Sequence, residues 1–117
     1  MTTLYGIKNC DTVRKAAKWL SQQEISHEFH DFRVEGLTES MLIKWESHVG
    51  WEILLNKRST SFRQLSDSEK AVASSEQAIA LMLANPTLIK RPVLEVNGLI
   101  EVGFKPAQYE QVFKQAD

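Results

Sequence analysis

Two short aliphatic segments near the end of the chain are joined by an Asn-Gly dipeptide. The first covers Val93–Val96, the second covers Leu99–Val102, and each contains a single glutamate. Asn97-Gly98 accommodates the two positive φ angles that a type I′ turn requires, so the sequence predicts a β-hairpin. Pro106 then suits the first turn of a helix, where its missing N–H costs nothing. The last third of the chain is therefore predicted to be ββα.

The first third of the chain has a different pattern. Residues 3–7 form a β-type run, and the apolar positions that follow recur at i, i+3, i+4 and i+7, which predicts a helix from about residue 11 to about residue 24. Residues 27–32 offer a second strand, and a strand, a helix and a strand with short connections predict a parallel βαβ unit. The apolar helix positions are Val13, Ala16, Ala17 and Leu20.

The middle of the chain is predicted to be helical. Thr38 is suited to the N-cap of one helix and Gly50 to its end, while Ser66 with Glu69 matches a capping box. Ser74 begins another helix, which stops before Pro86. The order βαβ, helices, ββα predicts one α/β domain over residues 1–117 with a thioredoxin-like fold and a helical insertion at about 38–84.

Composition excludes several classes of function. A chain of 117 residues with one cysteine has no internal disulfide and no zinc site of the CxxC…CxxC type. The net charge of −1 gives no overall attraction to nucleic acid or to an anionic membrane. No apolar run approaches the ~20 residues of a membrane span, and no signal-peptide core precedes Lys8. We expect a soluble, cytoplasmic monomer with no nucleic-acid or membrane partner.

Cys10 lies where the first strand is predicted to end and the first helix to begin. The free N–H groups and the positive end of the helix dipole favour a thiolate at that point. Arg14, Lys15 and Lys8 add positive charge, whereas Asp11 opposes them. The alternative is a cysteine packed as a small apolar residue. The polar and cationic neighbours favour a reactive thiol.

The position three residues after Cys10 is Val13, so the local motif is Cys-x-x-Val. The chain has no second cysteine that could resolve a disulfide formed at Cys10. Any redox cycle at this thiol must therefore finish with an external thiol.

Several cations are candidates for an anion site beside Cys10. The alternative is a solvated charged surface, which is the commoner location of Lys and Arg. Three histidines lack metal-ligand spacing with the cysteine or with acidic pairs, so we expect no metal site. The cations are Arg14, Arg58, Arg63, Arg91, Lys57 and Lys105, with Asn56 next to two of them, and the histidines are His27, His30 and His48.

Pro92 stands at the entrance to the first hairpin strand. An X-Pro bond at such a place is a candidate for a cis peptide, although the trans form is the commoner one. The residues alone favour the trans form.

Four stretches of the chain together resemble the arsenate reductase-like (ArsC/Spx) family, and most closely its YffB-like branch. They are the Cys-x-x-x-Arg segment at residues 5–16, the basic segment at 54–60, the Asn-Pro-x-Leu-Ile-x-Arg-Pro segment at 85–92, and Gly-Phe-Lys-Pro at 103–106. The resemblance implies a thioredoxin-like domain with a helical insertion, a nucleophilic Cys10 and a cis Pro92. In arsenate reductases of this family, arginines hold the oxyanion and glutathione resolves the adduct.

The chain departs from those reductases at three positions. Gly6 stands where they have a histidine, Asn56 where they have one oxyanion-binding arginine, and Lys105 where they have another. Arg14 and Arg91 match the family pattern. Since arginine and lysine are not interchangeable at a bidentate oxyanion site, these departures argue against arsenate reduction.

The residues and the resemblance together predict a glutathione-dependent thiol oxidoreductase with no bound cofactor and with glutathione as co-substrate. Its partners would be glutathione and a protein disulfide. One alternative is an Spx-like regulatory protein that contacts RNA polymerase; others are an arsenate reductase and a protein with a vestigial thiol. The predicted catalytic residues are Cys10 and Arg14, and the predicted residues that bind substrate or glutathione are Lys8, Asn9, Arg58, Arg91, Pro92 and Lys105.

Overall fold

The computed structural model describes residues 2–116, and the chain forms two compact units. The first unit joins the segment that ends at Gly36 to the segment that begins at Arg91. The second unit is the continuous segment Leu37–Lys90. No helix within residues 2–116 is long and apolar enough to cross a membrane.

The first unit is a four-stranded mixed sheet with helices. Its elements are β1 (Thr2–Gly6), α1 (Asp11–Gln22), β2 (Glu28–Asp31), α2 (Phe32–Glu35), β3 (Val93–Val96), β4 (Leu99–Val102) and α8 (Pro106–Ala116). The strands lie in the order β2-β1-β3-β4, where β1 and β2 are parallel and the other two neighbouring pairs are antiparallel. This topology is the thioredoxin-like arrangement of a βαβ and a ββα half that the sequence predicts.

One face of this sheet and helices α1 and α8 form the core of the first unit. Alternate residues of β1 and β3 contribute to it, because successive side chains of a strand point to opposite faces. Tyr109 is fully buried, and the rings of Trp19 and Phe104 pack edge-on against it at 5.7 and 4.8 Å between centroids. Burial, and secondarily Glu101, raise the pKa of the Tyr109 hydroxyl. The core residues are Leu4, Val13, Ala16, Leu20, Leu94, Val96, Tyr109 and Val112.

The predicted hairpin is confirmed. Asn97 has φ 48° and Gly98 has φ 90°, so both turn residues adopt the left-handed backbone conformation that a type I′ turn requires. The register pairs Val96 with Leu99 directly across this turn.

The second unit is helical, as predicted, and its helices begin at the expected caps. The side chain of Thr38 accepts a hydrogen bond from Met41 N, and that of Ser74 accepts one from Gln77 N. Ser66 and Glu69 form a reciprocal capping box. The elements are α3 (Glu39–Val49), α4 (Trp51–Leu54), α5 (Thr60–Arg63), α6 (Asp67–Lys70), α7 (Ser75–Ala84) and a 3₁₀ turn (Pro86–Leu88).

Several predicted element ends differ from the structure by one or two residues. Strand β1 ends at Gly6 instead of residue 7. Helix α1 ends at Gln22, whereas the predicted end is at about residue 24, and Glu24 has a φ of 57°, which is outside the helical range. The second strand ends at Asp31 instead of residue 32, because the Asp31 carboxylate accepts a hydrogen bond from Arg33 N and caps the short helix α2.

Candidate active site

Cys10 is the N-cap residue of the 12-residue helix α1 and is half-buried. Its backbone is extended, with φ −97° and ψ 124°, and its carbonyl accepts a hydrogen bond from Arg14 N at 3.0 Å. No side chain caps the helix. The N–H groups of the first turn and the helix dipole can therefore act on an anion at this end, including a thiolate on Cys10 itself. The Cys10 side chain also packs against the edge of the core.

Arg14 forms an ion pair with Asp11 across the first turn of α1. The Arg14 side chain is 60% exposed and that of Asp11 is 82% exposed, so water screens this pair. The Asp11 carboxylate is occupied by Arg14 instead of capping the helix. Arg14, which the sequence predicts to act on Cys10, is therefore paired with the carboxylate of Asp11, the residue that follows Cys10 in the chain.

Replacing Asp11 by asparagine is expected to raise the rate at which iodoacetamide alkylates Cys10 at neutral pH about threefold. The change removes a negative charge beside the thiol and releases the Arg14 guanidinium, and interactions of this size at a helix end are worth about 0.3–1 kcal/mol. Arg14→Gln should lower the rate by a similar factor. Lys18→Gln, one turn further along α1, is the control and should leave the rate unchanged. Equal rates for all three variants would mean that the Asp11–Arg14 pair does not influence the thiol.

Asp31 supports the loop that carries Cys10, and sequence reasoning missed it. Its carboxylate is buried and accepts hydrogen bonds from Lys8 N at 3.2 Å and from Arg33 N at 2.8 Å. The parallel register places Asp31 opposite Gly6, at the carboxyl ends of β2 and β1. Crevices outside the carboxyl ends of parallel strands are common ligand sites. The sequence feature that could have identified Asp31 is its position at the end of the second strand of a βαβ unit.

Gly6 lies in close contact with α1. A Cβ atom on Gly6 would lie 2.6 Å from Val13 Cγ2, a distance that real structures avoid. Val13 is itself buried in the core. A histidine at position 6, as in the reductases of the resemblance, would therefore displace Val13.

The Arg91–Pro92 bond is cis, as the resemblance implies. Pro92 is buried and Arg91 is half-buried. The antiparallel register pairs Val93 with Tyr5, so the start of β3 lies beside the end of β1. Arg91 and Pro92 consequently lie at the same edge of the sheet as the loop that leads to Cys10.

Lys105 follows the end of β4 and is exposed. Val102 pairs with Val93, and Gly103 N donates a hydrogen bond to Pro92 O at 2.8 Å. The segment from Gly103 to Lys105 therefore leaves the sheet at the edge where Pro92 enters it. Within the first unit, the strand registers thus place the end of β1, the start of β3 and the end of β4 side by side. The predicted residues that follow or precede these strand ends are Lys8, Asn9, Cys10, Arg14, Arg91, Pro92 and Lys105.

Arg58 belongs to the second unit. It is exposed, and its backbone N donates a hydrogen bond to Asn56 Oδ1 at 3.1 Å. Its neighbour Lys57 lies over the Trp51 ring, with Nζ 5.4 Å from the centroid. Arg63 ends α5 and is also exposed. The part of the chain that the structure describes contains no group of three His, Cys, Asp or Glu residues placed to hold a metal ion.

Comparison of the sequence and the structure with those of known proteins identifies relatives of this chain. Residues 5–112 match the sequence model of the ArsC family. A solved YffB protein is 44% identical and covers 95% of this chain and 97% of its own, with a TM-score of 0.92. A solved protein related to arsenate reductase (ArsC), from Brucella melitensis, is 49% identical over 97% of this chain and 94% of its own, with a TM-score of 0.77. The global transcriptional regulator Spx of Streptococcus mutans is 30% identical over 89% of this chain and 77% of its own length.

Proposed function

Because the chain belongs to the ArsC family, we propose that it is a thiol oxidoreductase in which Cys10 is the nucleophile and glutathione supplies the second thiol. The observation that carries the proposal is the position of Cys10 at the start of α1, in a chain with no other cysteine. The N–H groups at that helix end can interact with an anion, and an external thiol must complete any redox cycle.

The reaction consists of two thiol–disulfide exchanges. The Cys10 thiolate attacks the glutathione sulfur of a mixed disulfide, the substrate leaves as its thiolate, and a Cys10–glutathione disulfide forms. A second glutathione thiolate then attacks the glutathione sulfur of this adduct, which gives oxidised glutathione and regenerates the Cys10 thiolate. Each step breaks one disulfide and forms another, so the substrate is reduced and glutathione is oxidised.

The roles of the other residues follow from charge and position. Arg14 supplies a cation in the first turn of α1 to the reacting sulfur, and it is released for this role whenever the Asp11 ion pair opens. Lys8, Asn9, Arg91 and Lys105 meet the peptide backbone and carboxylates of glutathione or of an acidic substrate, and Pro92 forms part of the same edge. The sequence also predicts Arg58 as a binding residue, and it belongs to the second unit. A single positive charge is sufficient to bind a carboxylate.

An Spx-like regulatory role is the second candidate, because the Streptococcus mutans relative bears that name. Position 13 argues against a redox switch of the Cys-x-x-Cys type. Val13 has no thiol with which to form a disulfide, and its side chain is buried against Gly6 and in the core. A pull-down with the α subunit of RNA polymerase tests this candidate: specific capture that does not depend on Cys10 would favour a binding protein.

Treatment with oxidised glutathione is expected to produce one glutathione adduct per chain and no internal disulfide. The adduct is the intermediate of the proposed cycle, and the single cysteine excludes an internal bond. Intact-protein mass spectrometry measures the mass increase, and Cys10→Ser should show none. If the native protein stays unmodified while exposed thiols in a control protein react, Cys10 is a packing residue and the proposal is wrong.

A further inference from the structure

A cavity of about 590 Å³ lies within the second unit, and its charge is predominantly positive. Three cationic side chains line it, Lys57, Arg58 and Lys90, against one carboxylate, Glu52. The lining therefore has an excess of two positive charges.

The backbone holds the two sides of this cavity in fixed register. Asn56 N donates to Leu88 O and Lys90 N donates to Leu54 O, each at 2.8 Å. Between these bonds, Leu55 and Ile89 form an isolated antiparallel bridge, and the side chains of both are buried. The turn that carries Lys57 and Arg58 and the segment that carries Lys90 are thus joined by a buried frame.

The cations of the cavity form no ion pair with a carboxylate of the described residues. Within residues 2–116, no carboxylate lies within 4.0 Å of Lys57, Arg58 or Lys90 in an ion pair. Lys57 instead lies over the Trp51 ring, which leaves its ammonium group able to bind an anion. Asn56 Oδ1 accepts from Arg58 N, and the described part of the chain provides no acceptor for its Nδ2. The cavity therefore offers several N–H donors to an anionic ligand.

We propose that this cavity binds the carboxylates of an acidic peptide segment. Ile53 also lines the cavity and is 55% exposed, so it offers an apolar contact beside the cations. Three cations and a chain charge of −1 suit a short acidic peptide better than nucleic acid, whose binding depends on many phosphate contacts. The inference concerns the second unit by itself and goes beyond the proposed function.

The test uses ¹⁵N-labelled Cys10→Ser protein, so that binding is measured without thiol exchange. One probe is a capped pentapeptide with a central leucine and four glutamates; the second is oxidised glutathione, and the third is a short RNA oligonucleotide. We expect the acidic pentapeptide to shift the amide resonances of Lys57, Arg58 and Lys90, with an affinity that falls as the ionic strength rises. The Arg58→Gln/Lys90→Gln double variant should weaken its binding about tenfold, because it removes two of the three cations that line the cavity. Lys70→Gln, on α6 of the same unit, is the matched control and should bind like the parent protein.

Each outcome decides the inference. Charge-dependent shifts at the cavity with the pentapeptide support an acidic peptide segment as the ligand. Such shifts with oxidised glutathione alone would overturn the inference, because glutathione would then supply the carboxylates. Tighter binding of the RNA at the cavity, binding that is unchanged in the double variant, or no shift at the cavity would overturn it. If the protein binds the pentapeptide but its parent form does not exchange thiols, the proposed function is wrong and the proposed site stands. If the parent protein exchanges thiols but the pentapeptide does not bind, only the proposed site is wrong.

Discussion

Replacing Cys10 with serine is expected to reduce the release of glutathione from a small mixed disulfide to the uncatalysed rate, a loss of about a thousandfold or more, as for removal of other catalytic nucleophiles. The serine hydroxyl is not ionised at neutral pH and cannot displace a thiolate from a disulfide. No other cysteine in the chain can replace Cys10. The rate is measured by coupling the oxidised glutathione that forms to glutathione reductase and following the consumption of NADPH.

The serine variant is suitable for this test because it nearly preserves the size of a side chain that packs against the core. Its thermal unfolding should remain close to that of the parent protein, so loss of turnover cannot be attributed to unfolding. Lys18→Gln, further along the same helix, is the control for a change of charge and should retain most of the activity. A serine variant that is folded and fully active would exclude Cys10 as the nucleophile.

Local sequence signals predicted most of the elements correctly. The Asn97-Gly98 hairpin and the caps at Thr38, Ser66 and Ser74 depend on interactions between residues a few positions apart, and such interactions are visible in a sequence. The parallel pairing of β1 with β2 followed from the short connections through α1.

The second strand shows where a local signal was misread. The alternating aromatic pattern of residues 27–32 favoured a strand through Phe32, although Asp31 is a good N-cap residue. In the structure the cap prevails, since Phe32 is buried as the first residue of α2. The short helices α2 and α5 have no periodicity long enough to be recognised.

The candidate site was predictable only in part, because its remaining features depend on contacts between distant residues. Cys10 was identified from its place between a strand and a helix. The hydrogen bond from Lys8 N to Asp31 joins residues 23 positions apart, and only the sheet register brings them together. The exclusion of a side chain at Gly6 depends on the packing of Val13. The cavity in the second unit needs the bridge between Leu55 and Ile89, which no local pattern indicates.

Arsenate reduction is expected to be negligible in a preparation that releases glutathione from mixed disulfides. Both reactions need the Cys10 thiolate, so substitution of Cys10 cannot distinguish them. They differ in that arsenate reduction also needs groups that bind the oxyanion. One preorganised donor to a transition-state oxyanion is worth about 3–4 kcal/mol, which corresponds to about 10²–10³ in rate. Asn56 and Lys105 stand where the resemblance places two arginines, and Gly6 cannot be replaced by the histidine of the reductases while Val13 occupies the adjacent space.

The double variant Asn56→Arg/Lys105→Arg makes this comparison direct. It should raise glutathione- and glutaredoxin-dependent arsenate turnover at least about tenfold, because two bidentate donors are restored, while release of glutathione changes little, because a carboxylate needs only a point charge. The matched variant Lys70→Arg should change neither rate. Saturable arsenate turnover by the parent protein would overturn the proposed preference and would assign to Arg58 the oxyanion contact that Asn56 cannot make. An arsenate rate near background in the parent protein, raised by the two arginines, would identify these positions as the ones that separate thiol exchange from arsenate reduction.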